Sequence, residues 1–177
     1  VVLDPFVGIG STLKACAING RKGIGIELNK KYVDLTKKRL REEVEESLFP
    51  EIKQKCILGD VRKKIKNLKD GTIDFLVTSP PYWNILKKVD HKAKQERKSK
   101  NLDTQYSVDK RDLGNIEKYD DFLGELTDIF GECITKLKPK KYAAIIVSDF
   151  RDKGKYHLFH ADIAREMEER GMETKGI

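Results

Sequence analysis

Two short stretches hold the residues with chemistry to offer: "DPFVGIGSTLKA", which begins at Asp4, and "TSPPYW", from Thr78 to Trp83. In the first, Gly8 and Gly10 follow a strand-like run, Val1 to Phe6, and precede a helix opening at Ser11. Ligands of open α/β sheets lie at the carboxyl ends of strands, where glycine lets the backbone come close. A phosphate loop would need Gly-x-x-x-x-Gly-Lys-Ser/Thr, and a dinucleotide fingerprint would need a small residue where Leu13 stands. Asp4 at the strand tip would repel a pyrophosphate and suits a cationic ligand.

Glu27, seventeen residues after Gly10, ends the second strand "GIGIE" and can accept both hydroxyls of a ribose. A ligand with a ribose, a positive charge and no pyrophosphate is S-adenosylmethionine, whose sulfonium and ammonium both match Asp4. The second stretch would then close the same crevice from a neighbouring strand. An exocyclic amino group on a base is a poor nucleophile, because its lone pair is delocalised into the ring. Hydrogen bonds accepted from it by the Ser79 hydroxyl and the Pro80 carbonyl would hold the group and free the lone pair for in-line attack on a methyl sulfonium. The ring of Pro81 stiffens the tip, and Tyr82 offers a face on which a flipped base can stack.

With "DPFVGIGST" and "TSPPYW" together, the chain resembles the S-adenosylmethionine-dependent DNA amino-methyltransferases, which make N4-methylcytosine or N6-methyladenine. The resemblance implies that Asp4, Pro5, Phe6, Gly8, Gly10, Ser11 and Thr12 form the cofactor loop and that Glu27 holds the ribose. It further implies that Asp60, followed by Val61 in "LGDV", meets the adenine amino group and that Ser79, Pro80, Pro81 and Tyr82 are catalytic. Serine at position 79, where many relatives carry Asp or Asn, leans toward cytosine. Methylation at carbon 5 of cytosine would use a cysteine after proline, and the chain has no Pro-Cys pair. RNA bases, a protein glutamine amide and a non-catalytic nucleic-acid-binding role are the competing readings.

These residues need a scaffold, and strand-like and helix-like segments alternate along the chain. Strands are expected at Val1–Phe6, Gly23–Leu28, Lys55–Gly59, Ile73–Ser79 and Tyr142–Phe150. Helices are expected at Ser11–Asn19, from Asn29 to near Ser47, at Val61–Leu68, at Tyr119–Leu137 and at His160–Arg170. Continuous apolar strands between helices make an α/β, Rossmann-like fold, a mostly parallel twisted sheet covered on both faces. One domain over residues 1–177 fits the length, with a long basic loop at 84–115 and without the sixth and seventh strands usual in the resembled family. Val1-Val2-Leu3 opens inside a strand, as a fragment of a longer protein would.

Lys and Arg number 36 against 29 Asp and Glu, a net charge of +7, which suits a polyanionic partner. Double-stranded DNA is the expected one, met by Trp83 as a wedge or as packing and by Lys87, Lys88 and Lys92 through phosphates. Three widely spaced cysteines, Cys16, Cys56 and Cys133, fit neither a disulfide framework nor a zinc site and point to the reducing cytoplasm. His157 and His160 lack the companions a metal site needs, so no metal is expected. No apolar run is long enough to span a bilayer. Oligomeric state leaves no mark in the sequence.

Overall fold

A reversal of strand order fixes where a ligand can sit. The structure, a computed structural model, describes residues 1–44, 49, 51–83, 109 and 111–177. Within them the chain divides into two compact units, residues 1–80 with 127–177, and residues 81–126. The first unit holds β1 (Val2–Asp4), β2 (Gly23–Glu27), β3 (Lys55–Leu58), β4 (Ile73–Thr78) and β5 (Leu137–Ile145) in one parallel sheet of order β3-β2-β1-β4-β5. The order runs outward in opposite directions from β1 and β4, so the crevice between their carboxyl ends is the topological switch point.

The helices are α1 (Ser11–Ile18), α2 (Lys30–Glu42), α3 (Val61–Lys64), α4 (Tyr119–Lys136) and α5 (Phe159–Glu169). Right-handed crossovers put α1 and α2 on one face of the sheet and the carboxyl-terminal half of α4 on the other. The buried residues match that arrangement. Leu3, Ile26, Ile73 and Leu76 of the strands are fully buried, while Leu13 and Cys16, Val33 and Thr36, and Phe130 and Cys133 bury one side of their helices. In α5 the buried stripe is Phe159, Ile163 and Met167, four residues apart. Local signals place the starts: the Asn29 side chain accepts from the Lys31 amide ahead of α2, and Asp60 caps α3.

β5 departs from expectation. It begins at Leu137 rather than Tyr142 and takes in Pro139 and the left-handed Lys140 (φ 59°). Ile73 pairs with Leu137 but Phe75 with Tyr142, so the extra residues bulge out of register. Pro139 lies in that bulge, where a residue without an amide donor costs the ladder nothing. The expected strand end is also corrected: Phe150 belongs to an antiparallel hairpin of β6 (Phe150–Asp152) and β7 (Lys155–His157).

The second unit contains a short 3-10 turn, Leu113–Asn115, whose entry is capped by the Asp112 carboxylate accepting from the Gly114 amide. Most of the basic stretch of the 84–115 loop, Lys87, Lys88 and Lys92 included, lies outside the described residues.

Candidate active site

Asp4 ends β1 at the switch point with 4% of its surface exposed, and its carboxylate is the hub of the site. Oδ1 accepts from the Thr78 hydroxyl at 2.7 Å and from the Phe6 amide at 3.1 Å, while Oδ2 accepts from the Thr12 hydroxyl at 2.6 Å. Burial pushes the carboxyl's pKa up, and the hydroxyls of Thr12 and Thr78 and the Phe6 amide pull it back down. One lone pair of Oδ2 is left for a ligand. The same contacts join three elements: the end of β1, the first turn of α1 and the last residue of β4.

The loop between β1 and α1 turns through two left-handed glycines, Gly8 (φ 53°) and Gly10 (φ 85°). A Cβ at Gly10 would stand 2.4 Å from Thr36 Cγ2, whereas one at Gly8 would meet nothing within 4 Å. Gly10 is therefore required by packing and Gly8 by its backbone angle, with open space beside it. From behind, the fully buried Thr36 donates to the Gly8 carbonyl at 3.2 Å and Arg39 Nη1 to the Ile9 carbonyl at 2.7 Å. Arg39 also pairs with Glu43, which pairs with Lys14, so α1 and α2 brace the loop together. Gly10 is the cap residue of α1 and supplies no side chain, which leaves the first amides of that helix facing outward.

Glu27, at the end of β2, accepts from the Gly8 amide at 3.0 Å and the Asn29 amide at 2.7 Å. Its oxygens stand against the glycine loop, where a ribose would lie. Asp60, expected to meet an adenine, is largely spent on its own helix: Oδ1 accepts from the Arg62 amide, and both oxygens take the Arg62 guanidinium. Val61 beside it is buried. In the cofactor loop, Pro5 is buried, Phe6 meets the Phe130 ring edge-on at 6.2 Å, and Ser11 is exposed at the start of α1.

At the end of β4 the Thr78 carbonyl accepts from the Ile146 amide at 2.8 Å, which carries the pairing with β5 one step past the strand. Ser79 follows, exposed, and among the described residues nothing engages its hydroxyl; Pro80 is buried. Pro81 and Tyr82, both half-buried, open the second unit. Trp83 is 7% exposed, donates its indole N–H to the Ile116 carbonyl at 3.0 Å and meets the Tyr119 ring at 5.4 Å. Among the described residues its partners are those of a packed side chain. Among the described residues no group of three His, Cys, Asp or Glu side chains could hold a metal, and no helix is long and apolar enough to cross a membrane.

The sequence reading missed three residues that position the loop and the tip: Thr36, Arg39 and Thr78. Thr78 alone left a trace, as a polar residue closing an apolar strand.

Residues 1–38, which contain the glycine loop, Glu27 and Thr36, match the family described as DNA methylase. The N-terminal segment resembles that family. The Type II methyltransferase M.HpaI of Haemophilus parainfluenzae is 32% identical over 90 residues, 43% of this chain and 29% of its own length. The Type II methyltransferase M.HinfI of Haemophilus influenzae is 55% identical over 42 residues, 24% of this chain and 12% of its own length. The orphan methyltransferase M.BamHII of Bacillus amyloliquefaciens is 49% identical over 41 residues, 23% of this chain and 16% of its own length. The chain thus spans under a third of the curated relatives it matches. Among solved structures, a SAM-dependent methyltransferase from Methanosarcina mazei aligns with a TM-score of 0.50 and 16% identity, over 81% of this chain and 50% of that one. That likeness is one of fold, the Rossmann-like methyltransferase sheet. The resemblance to the DNA amino-methyltransferases is borne out at the level of the family over residues 1–38, which hold the first of the two motifs.

Proposed function

We propose that the chain carries the methyl-transfer centre of an S-adenosylmethionine-dependent DNA modification enzyme acting on an exocyclic amino group. N4 of cytosine is favoured over N6 of adenine, because Ser79 stands where many relatives have Asp or Asn. The observation that carries the reading is the Thr12–Asp4–Thr78 bridge, which ties the glycine loop and the strand bearing Ser79 and Pro80 into one rigid corner at the switch point.

The residues fit the cofactor. Asp4 and Glu27 put two carboxylates on the loop, which suits a cation with a ribose. The outward amides at the start of α1 would receive the carboxylate of the methionine moiety. Asp60 would reach the adenine amino group by giving up the longer of its two Oδ2 bonds, the 3.2 Å one from Arg62 Nε. Bound there, the cofactor supplies an electrophilic methyl on a sulfonium.

The chain's own part is orientation. The exposed Ser79 hydroxyl and the Pro80 carbonyl would accept from the amino group and turn its lone pair toward the methyl, with Tyr82 stacking the flipped base. Trp83 would support that turn of chain from within the second unit.

The test uses the full-length protein with S-adenosylmethionine and mixed-sequence duplex DNA, digested to nucleosides for mass spectrometry. N4-methylcytosine is the expected product, and N6-methyladenine would keep the chemistry while changing the base. No methylated nucleoside, with cofactor binding intact, would remove DNA as the acceptor in favour of RNA or a protein amide.

A further inference from the structure

The hairpin of β6 and β7 is a short ribbon with one buried end and one charged end. β5 delivers the chain to the same carboxyl edge of the sheet as Asp4 and Thr78, and the ribbon begins five residues later. At its base Phe150 stacks on His157 at 5.1 Å and meets Phe159 of α5 edge-on at 5.7 Å, all three buried. Asp149, just before the ribbon, accepts from the His160 amide and lies 2.6 Å from His160 Nδ1, which fixes the ribbon's root to the start of α5.

Arg151, Lys153, Lys155 and Tyr156 are all exposed, Tyr156 by 50%. Register puts Arg151 opposite Tyr156 on the outer face, with the guanidinium 5.1 Å from the ring centroid. Lys153 and Lys155 flank Gly154 at the tip, and among the described residues neither has an ion-pair partner.

The turn adds an independent observation. Lys153 (φ 45°) and Gly154 (φ 86°) are both left-handed, the two-residue hairpin turn that favours Asn-Gly. Gly154 suits its position. Lys153 does not: a long L side chain rarely adopts that angle, and the fold would be served better by asparagine. Strain of this kind marks positions where the side chain is kept for something other than folding.

We propose that the β6–β7 ribbon is a duplex-DNA contact, with Lys153 and Lys155 on backbone phosphates and the Arg151–Tyr156 pair along the groove edge. The inference rests on the function proposed above and adds to it where the nucleic acid is held beside the crevice. Phosphate contacts of this kind position the duplex without reading its sequence.

The experiment measures duplex-DNA affinity of the full-length protein from low to moderate salt, for wild type, Lys153→Asn, Lys155→Gln and the double variant. Melting temperature and calorimetric titration with S-adenosylmethionine are run alongside. Each lysine lost should flatten the slope of log K against log salt by about 1. Lys153→Asn should at the same time raise the melting temperature, so that binding and stability move in opposite directions, and cofactor affinity should stay constant. An unchanged slope, in a protein that binds cofactor and DNA normally, would overturn the ribbon assignment and leave the proposed function standing. Flattening seen with duplex RNA but not with duplex DNA would overturn it as well. Failure of the wild type to bind either cofactor or DNA would remove the functional reading, and the ribbon's role with it.

Discussion

The Thr78 hydroxyl donates to Asp4 Oδ1 at 2.7 Å, across 74 residues of chain, and so connects the strand that precedes Ser79 to the loop expected to hold the cofactor. A cofactor site and a catalytic tip on separate strands could shift independently. Here one buried carboxylate fixes the two segments proposed for those roles.

Thr78→Val removes that donor while keeping the shape. Losing one buried hydrogen bond costs about 1 kcal/mol. The variant should fold and hold the cofactor within about threefold of wild type, since Thr12 and the Phe6 amide still engage Asp4, while kcat falls by about tenfold or more as the tip loosens. Asp4→Ala should behave differently. It strands two hydroxyls and an amide, at about 1–3 kcal/mol for each buried group left without a partner, and cofactor affinity should collapse with stability. Equilibrium unfolding and calorimetric titration on both variants separate the two outcomes.

Gly10→Ala should be among the most damaging single-methyl additions to the loop. The new Cβ meets Thr36 Cγ2 at 2.4 Å and must adopt a left-handed angle as well. Overpacking and backbone strain together predict a loss of about 2–4 kcal/mol. Thr36→Ala removes the overlapping Cγ2 and Oγ1 but gives up the hydrogen bond to the Gly8 carbonyl, so the double variant should lose less than the sum of the two single variants. Simple additivity would show that the overlap is relieved elsewhere.

Pro80→Ala and Tyr82→Ala should reduce turnover by about a hundredfold with little change in cofactor affinity, on the scale of lost positioning and acceptor groups. A large loss of cofactor binding would put either residue in the wrong role.

Stability should show an acid limb through Asp149. The hydrogen bond from His160 holds that carboxyl below the usual carboxylate range. A depressed folded pKa means the unfolded chain takes up protons first, so this contribution is present above about pH 4 and is lost as the pH falls through the folded value. The stability gap between wild type and Asp149→Asn should therefore shrink on acidification. Denaturant titrations from about pH 6 to pH 3 check it, and a gap independent of pH would refute the assignment.

What could be read from the sequence was local. The first four strands carry apolar runs between turn signals, and Asn29 and Asp60 announce their helices through side chains next in line to the amides they cap. The start of β5 was hidden because Pro139 looks like a stop, and only the pairing register shows that it lies in a bulge where a proline does no harm. The hairpin was hidden for a related reason: Lys-Gly at residues 153 and 154 lacks the asparagine or aspartate that usually announces such a turn. At the site, the places of Asp4, Glu27 and Ser79 at the ends of their strands could be read from residue type and pattern. Their connections could not, since the partners of Asp4 and of the loop carbonyls come from distant elements, and helical periodicity says only that Thr36 faces inward, not what it holds.

The bracing of the glycine loop by Thr36 and Arg39 has a bearing on how a ligand would arrive. With its carbonyls already bonded from behind, the loop has little conformational freedom left to surrender on capture. The rate of cofactor association should then rise linearly with concentration and show no slow ordering phase, and the amides of Gly8 and Gly10, bonded to Glu27 and to the Val7 carbonyl, should exchange hydrogen slowly in the free protein. Removing the Arg39 guanidinium would turn the same event into two steps, with ordering after encounter, visible as a rate that saturates.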